Sequence, residues 1–232
     1  MSLKTTLAAL ALVAAGGFGL WSMSSSDGSQ TLIPVGAALA QDAGATQNAA
    51  PAADAPAIEI KDMTLGPVDA KVTLIEYASY TCPHCANFHA NVFKDLKRDY
   101  IDTGKVHFIY REVYFDRYGL WASMVARCGG EMKYFGVQDL LYSNVQEWAG
   151  SDDPNVVVEN LKKIGRTAGM TDAQLDACMQ DGAKAQAMVD HFEASMQEYD
   201  VQGTPTLVVN GTKHSNMTYA DLKALIDAEL AK

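Results

Sequence analysis

The hydrophobic pattern along the chain changes period several times. Residues 72–77, Val-Thr-Leu-Ile-Glu-Tyr, form an apolar, β-rich run and read as a buried strand. Val68-Asp69-Ala70 before it reads as a turn, and 58–63 as a short edge strand. From Pro83 onward Phe88, Val92, Phe93 and Leu96 recur at three- and four-residue spacing, which predicts a helix to about Tyr100. Pro83 suits its first turn, where no backbone N–H is needed. Gly104 closes that helix, and 106–110 is the next strand. Strand–helix–strand order predicts a βαβ unit with a parallel pair. Residues 116–199 then read as helical throughout, with Thr171-Asp172-Ala173-Gln174 resembling a capping box. The Met188, Phe192, Met196 stripe reads as core packing. Strands resume at 206–209, Asn210-Gly211 signals a hairpin, and Lys213-His214 starts the return strand. Thr218-Tyr219-Ala220-Asp221 caps a last helix ending near Leu230. The expected class is α/β, with a helical block (116–199) inserted between two parts of an α/β domain (58–115 and 200–232).

Composition adds limits to this plan. With 232 residues the chain holds one large domain or two small ones, and 48% hydrophobic content suffices for a core. A net charge of -10 and no basic stripe argue against a nucleic-acid partner. Lys4 followed by the apolar run 7–20 reads as an export signal, too short for a membrane span. The best cleavage site, Ala38-Leu39-Ala40, makes 1–40 a signal peptide; the alternative is an uncleaved N-terminal anchor. Either reading places the folded part outside the cytoplasm. Residues 41–57 are Ala-rich with Pro51 and Pro56, and are expected to be a disordered linker.

The candidate chemistry centres on Cys82-Pro83-His84-Cys85. Structural zinc wants a second ligand pair, and neither Cys128 nor Cys178 has a cysteine nearby. Haem attachment of the c type wants histidine where Ala86 stands. A purely structural bridge across one helical turn would be strained and close a tiny loop. Redox exchange fits the context better. The N-terminus of a helix stabilises a thiolate with free N–H groups and positive potential. His84 in the first turn can add positive charge or a donor. A stabilised Cys82 thiolate stabilises the reduced form and makes the disulfide a strong oxidant. Cys82 is then the attacking sulfur, and the deeper Cys85 resolves the mixed disulfide.

Three further signals surround this motif. Glu76 is an acid in an apolar strand; buried near the sulfurs it would have a raised pKa and relay protons. The alternative is an outward-facing edge carboxylate. In Gly203-Thr204-Pro205-Thr206 a proline opens an apolar strand. A cis Thr204–Pro205 bond would leave the Thr204 backbone open to a bound peptide; the alternative is a trans turn. His89 is expected to be partly exposed, and His107, His191 and His214 show no ligand spacing. Tyr77, Tyr80 and Phe88 are candidates for a peptide groove, with core packing the simpler account of Phe88.

Taken together, a strand carrying Glu76, C-P-H-C opening a helix, and a late G-T-P-T before a hairpin and final helix resemble the DsbA-like thiol:disulfide oxidoreductases. The resemblance runs from about Ile58 to the C-terminus. It implies a thioredoxin fold with an inserted helical domain, a periplasmic location, and no metal or cofactor. It also implies disulfide formation in exported polypeptides, with re-oxidation by a membrane partner resembling DsbB. By position Cys82 would be the nucleophile, Cys85 the resolving thiol, Glu76 the buried acid and Pro205 the cis-proline. Thr204 departs from the Val-Pro pattern of the best-known oxidases; Thr there also occurs in isomerase-like relatives and DsbA-like subgroups. Some DsbA-like proteins carry a second, non-catalytic bridge, which Cys128 and Cys178 would form in an oxidising compartment; the alternative is two separate buried thiols. Such a loop would stabilise by about 4 kcal/mol in the chain-entropy model. Two rival functions remain open. One is an isomerase or reductase on the same fold, although 41–57 lacks the heptads of an oligomerising segment. The other is a Cu(I)-binding module using Cys82, Cys85 and His84.

Overall fold

The computed structural model describes residues 58–232; the predicted export segment (1–40) and linker (41–57) lie outside the described residues. A five-stranded sheet runs in the order β1-β3-β2-β4-β5. Its centre is β2 (Val72–Ala78), buried on both faces as its apolar run predicts. β3 (Val106–Glu112) lies parallel to it, and β4 (Thr206–Val209) antiparallel on its other side. β5 (Thr212–Ser215) completes a hairpin with β4. Asn210 and Gly211 both take positive φ, +46° and +82°, which the tight turn requires.

The edge strand is β1 (Met63–Leu65), later than the predicted 58–63. The residues before it are committed elsewhere. The Lys61 carbonyl accepts from the Arg127 guanidinium at 3.0 Å, and Asp62 pairs with Arg111 at 3.0 Å.

Between β2 and β3 the chain is helical from 83 to 101, but not uniformly α. α1 (Pro83–Phe88) widens into a π turn (His89–Phe93). α2 (Lys94–Leu96) then runs into a second π turn (Lys97–Ile101). Phe88, Phe93, Leu96 and Tyr100 still face the core, beside Leu74 and Phe108 of the sheet. Six helices follow β3. They are α3 (Arg117–Cys128), α4 (Glu131–Ser143), α5 (Val145–Ala149), α6 (Pro154–Thr167), α7 (Asp172–Met179) and α8 (Gly182–Glu198). α7 opens on the Thr171–Gln174 capping box. The last helix, α9 (Tyr219–Ala231), is capped by Thr218 and packs Leu222 and Ile226 into the main core.

The insertion shares that core: Tyr134, Leu141, Trp148, Leu161 and Leu175 join Leu74 and Phe88 in one apolar cluster. The opposite face of the sheet has its own cluster of Ile75, Tyr77, Val113, Val201 and Val208. Phe192 and Met196 of α8 pack against it. Cys128 and Cys178 form a disulfide that ties the end of α3 to α7, with Cα atoms 5.9 Å apart.

Candidate active site

β2 ends at Ala78, and Ser79, Tyr80 and Thr81 carry the chain to Cys82, the N-cap of α1. Cys82 has extended geometry, and Pro83 takes the first helical position. The Cys82 N–H donates to the Ser79 carbonyl at 3.1 Å, and the Cys82 carbonyl accepts from Cys85 and Ala86, both at 3.1 Å. Cys82 is thus held at the positive end of the helix with its sulfur partly exposed, while Cys85 is buried; both are free thiols.

Their environments drive the two thiols apart. The Cys82 thiol is pulled down to about 5. The first cause is a hydrogen bond from the Cys85 thiol; burial opposes it, and Thr204 and the backbone N–H groups of Cys85 and His84 add to it. Cys85 is pushed well up, because it is the donor to the Cys82 sulfur and because it is buried. At neutral pH Cys82 is therefore a thiolate and Cys85 a thiol, which is the division of labour that exchange requires.

His84 acts here through its backbone N–H; its side chain is exposed. Glu76 lies inside, 3% exposed, opposite Tyr110 on β3 and Leu207 on β4. Burial pushes its carboxyl up to about 8, and the Cys82 charge adds to the rise. Thr204–Pro205 is cis. The Thr204 carbonyl lies 3.6 Å from the Cys82 sulfur and accepts its S–H when the thiol is protonated. A groove of about 470 Å³ runs beside Thr204, lined by residues 202–206 and 213–216.

Some sequence-based expectations need correction. His89 is buried, not exposed: α4 covers it, Asp139 meets its Nε2 at 3.0 Å, and it stacks between Phe93 and Tyr142. Tyr77 and Tyr80 are fully buried rather than groove-lining, while Phe88 packs in the core as expected. Tyr77 faces away from the cysteines, into the α8 side of the sheet, with its hydroxyl on the Ser195 carbonyl at 2.9 Å. Residues that sequence reasoning passed over include Ser79, Thr81, Tyr110 and Tyr142. The signal was present, since tyrosine buried in a core needs a partner for its hydroxyl.

Glu76 and Cys82 have opposite effects on stability. Between about pH 4.5 and 8 the folded protein keeps a Glu76 proton that the unfolded chain has lost, so stability falls as pH rises. Between about pH 5 and 9 the folded dithiol has lost a Cys82 proton that the unfolded chain keeps, so stability rises. From pH 5 to 8 the two slopes oppose. Glu76→Gln removes one of them, and urea midpoints of the reduced variant should climb from pH 5 toward 9. A variant midpoint that stays flat or falls would show that Cys82 does not ionise early, and a parent midpoint that climbs as steeply as the variant's would show that Glu76 does not hold its proton.

A sheet with this strand order, a cysteine pair at the start of the helix after its central strand and a cis-proline facing them define a thioredoxin-type exchange centre. The family profile for thioredoxin matches residues 59–228, and the chain belongs to that family. The solved structure of Wolbachia pipientis alpha-DsbA1 superposes with a TM-score of 0.67 at 27% identity, covering 73% of this chain and 91% of that one. A Rickettsia bellii relative named as a protein-disulfide oxidoreductase is 33% identical over 171 residues. The match covers 73% of this chain but 65% of that protein, so the chain spans less than two thirds of its length. Disulfide bond formation protein D of Bacillus subtilis is 26% identical over 180 residues, covering 72% of this chain and 76% of that protein. The relatives and structural neighbours of this chain are thus DsbA-like.

Proposed function

We propose that this chain is a thiol:disulfide oxidoreductase working as an oxidase, which introduces disulfides into exported polypeptides. One observation carries the reading: a partly exposed Cys82 sits at a helix N-terminus, three residues from a buried Cys85 and 3.6 Å from the carbonyl of the cis Thr204–Pro205 pair. In the forward reaction a substrate thiolate attacks the Cys82 sulfur of the Cys82–Cys85 disulfide. The S–S bond breaks, and Cys85 leaves as a thiolate that takes a proton. A second substrate thiolate attacks the mixed disulfide and expels Cys82. Two electrons pass from substrate to protein, and the products are a substrate disulfide and the protein dithiol. Glu76 is the group placed to hold a proton near Cys85, and Thr204 and Pro205 flank the groove where the substrate backbone would lie.

The export reading rests on Lys4 and the apolar run 7–20, and the Cys128–Cys178 bond suits an oxidising compartment such as the periplasm. The spent dithiol would be re-oxidised by a membrane partner resembling DsbB. The reduction potential of the Cys82–Cys85 pair, equilibrated against glutathione with Cys128 and Cys178 followed separately, tests the assignment. A value near -120 mV supports the oxidase, and one near -270 mV makes the chain a reductase or isomerase. A tight stoichiometric copper adduct in place of a two-electron titration would favour the Cu(I) module instead.

A further inference from the structure

Ser79, Tyr80 and Thr81 join the central strand to Cys82, and each is held by a different side chain of the helical insertion. Tyr142 of α4 donates its hydroxyl hydrogen to the Ser79 carbonyl at 3.3 Å, the carbonyl that also accepts the Cys82 N–H. The Tyr80 hydroxyl donates to that of Tyr134 at 3.1 Å, which in turn donates to Glu112 at 2.7 Å. The Thr81 hydroxyl donates to Asp116 at 2.7 Å, and the same carboxylate caps α3 by accepting from the Gly119 N–H at 2.9 Å. The approach of α3 is close: a Cβ on Gly119 would stand 3.3 Å from Ser79 Oγ.

Ser79 and Tyr80 are each 1% exposed, so water cannot stand in for a lost partner. The Ser79 carbonyl also fixes the Cys82 backbone, accepting its N–H at 3.1 Å. A hydrogen bond weakens steeply as its geometry is lost. The position of the Cys82 sulfur, at the helix N-terminus and 3.6 Å from the Thr204 carbonyl, thus depends on where this turn is held.

We propose that the insertion sets the redox poise of the cysteine pair by gripping the turn in front of Cys82 residue by residue, with Tyr142, Tyr134 and Asp116 as positioning residues. None of the three hydrogen-bonds to the reacting sulfurs. They act through Ser79, Tyr80 and Thr81, and they come from the part of the chain that lies outside the strand–helix–strand unit. The proposal rests on Cys82 and Cys85 being the exchange pair.

Two variants remove one grip each without changing charge: Tyr142→Phe, which deletes the hydroxyl on Ser79, and Thr81→Val, which deletes the donor to Asp116. The full chain is equilibrated with glutathione, in which the protein disulfide and two glutathione thiols exchange with the protein dithiol and one glutathione disulfide. The ionisation of Cys82 is followed in parallel by thiolate absorbance. Each variant should shift the equilibrium toward the protein disulfide by about threefold to tenfold, the scale of one hydrogen bond, and move Cys82 ionisation to higher pH. Variants that stay within twofold of the parent in both readouts, whatever happens to their stability, would overturn the proposal. If Tyr142→Phe does not fold, Thr81→Val alone decides between these results. A parent protein with no low-titrating thiol would instead overturn the exchange-pair reading, and this proposal with it.

Discussion

Cys82→Ser is expected to abolish disulfide exchange, whereas Cys85→Ser turns the chain into a trap that stops at the mixed disulfide. An unperturbed cysteine is only a few per cent thiolate at pH 7. Cys82, pulled down to about 5, is ionised almost throughout and is the sulfur open to solvent. Cys85 is buried and holds its proton, so it attacks only a neighbour already joined to Cys82. Incubated with glutathione disulfide, Cys85→Ser should collect one glutathione per chain, on Cys82 by peptide mapping. Cys82→Ser should collect none and leave the oxidation rate of a model dithiol peptide at background. Exchange surviving in Cys82→Ser, or an adduct on another cysteine, would remove the assigned roles.

The second large effect is on stability. Arg127→Met should lower unfolding free energy by about 3–5 kcal/mol, because it leaves one buried charge without its counter-ion. The Arg127 and Glu112 side chains are 4% and 3% exposed, with Arg127 Nε donating to Glu112 at 2.8 Å. After the change Tyr134 still donates to Glu112, but a neutral hydroxyl does not replace a guanidinium. Replacing both partners with apolar residues, Glu112→Leu with Arg127→Met, should recover most of the loss, since removing a whole buried pair is often neutral. Denaturant midpoints of the two variants test this. A single variant that loses less than about 1 kcal/mol would mean that water reaches the pair.

Much of this fold was readable because its elements announce themselves locally. The apolar run of β2, the Asn210-Gly211 turn and the Thr171 capping box each declare an element without help from the rest of the chain. The cysteine motif was equally plain, since Pro83 at a helix start is a local rule. What escaped was decided at long range. The edge strand shifted because Arg127 and Arg111, many residues away, claim Lys61 and Asp62. The burial of His89 is invisible to local pattern because nothing near it in sequence shows that α4 covers that face. The π turns at His89–Phe93 and Lys97–Ile101 leave the hydrophobic spacing almost unchanged, so periodicity cannot reveal them. The hold on Ser79, Tyr80 and Thr81 comes from residues 35 to 63 positions away, beyond the reach of any local pattern.

The outer strands have a bearing on how the protein meets unfolded chains. β5 is four residues of Thr, Lys, His and Ser, and β1 is only three residues long. A three-residue strand such as β1 and a short, polar, lysine-bearing one such as β5 are poor templates for a stranger's backbone. On the proposed oxidase reading, a polypeptide beside Thr204 would touch the groove without being stitched into the sheet, and would leave once the sulfur chemistry is complete.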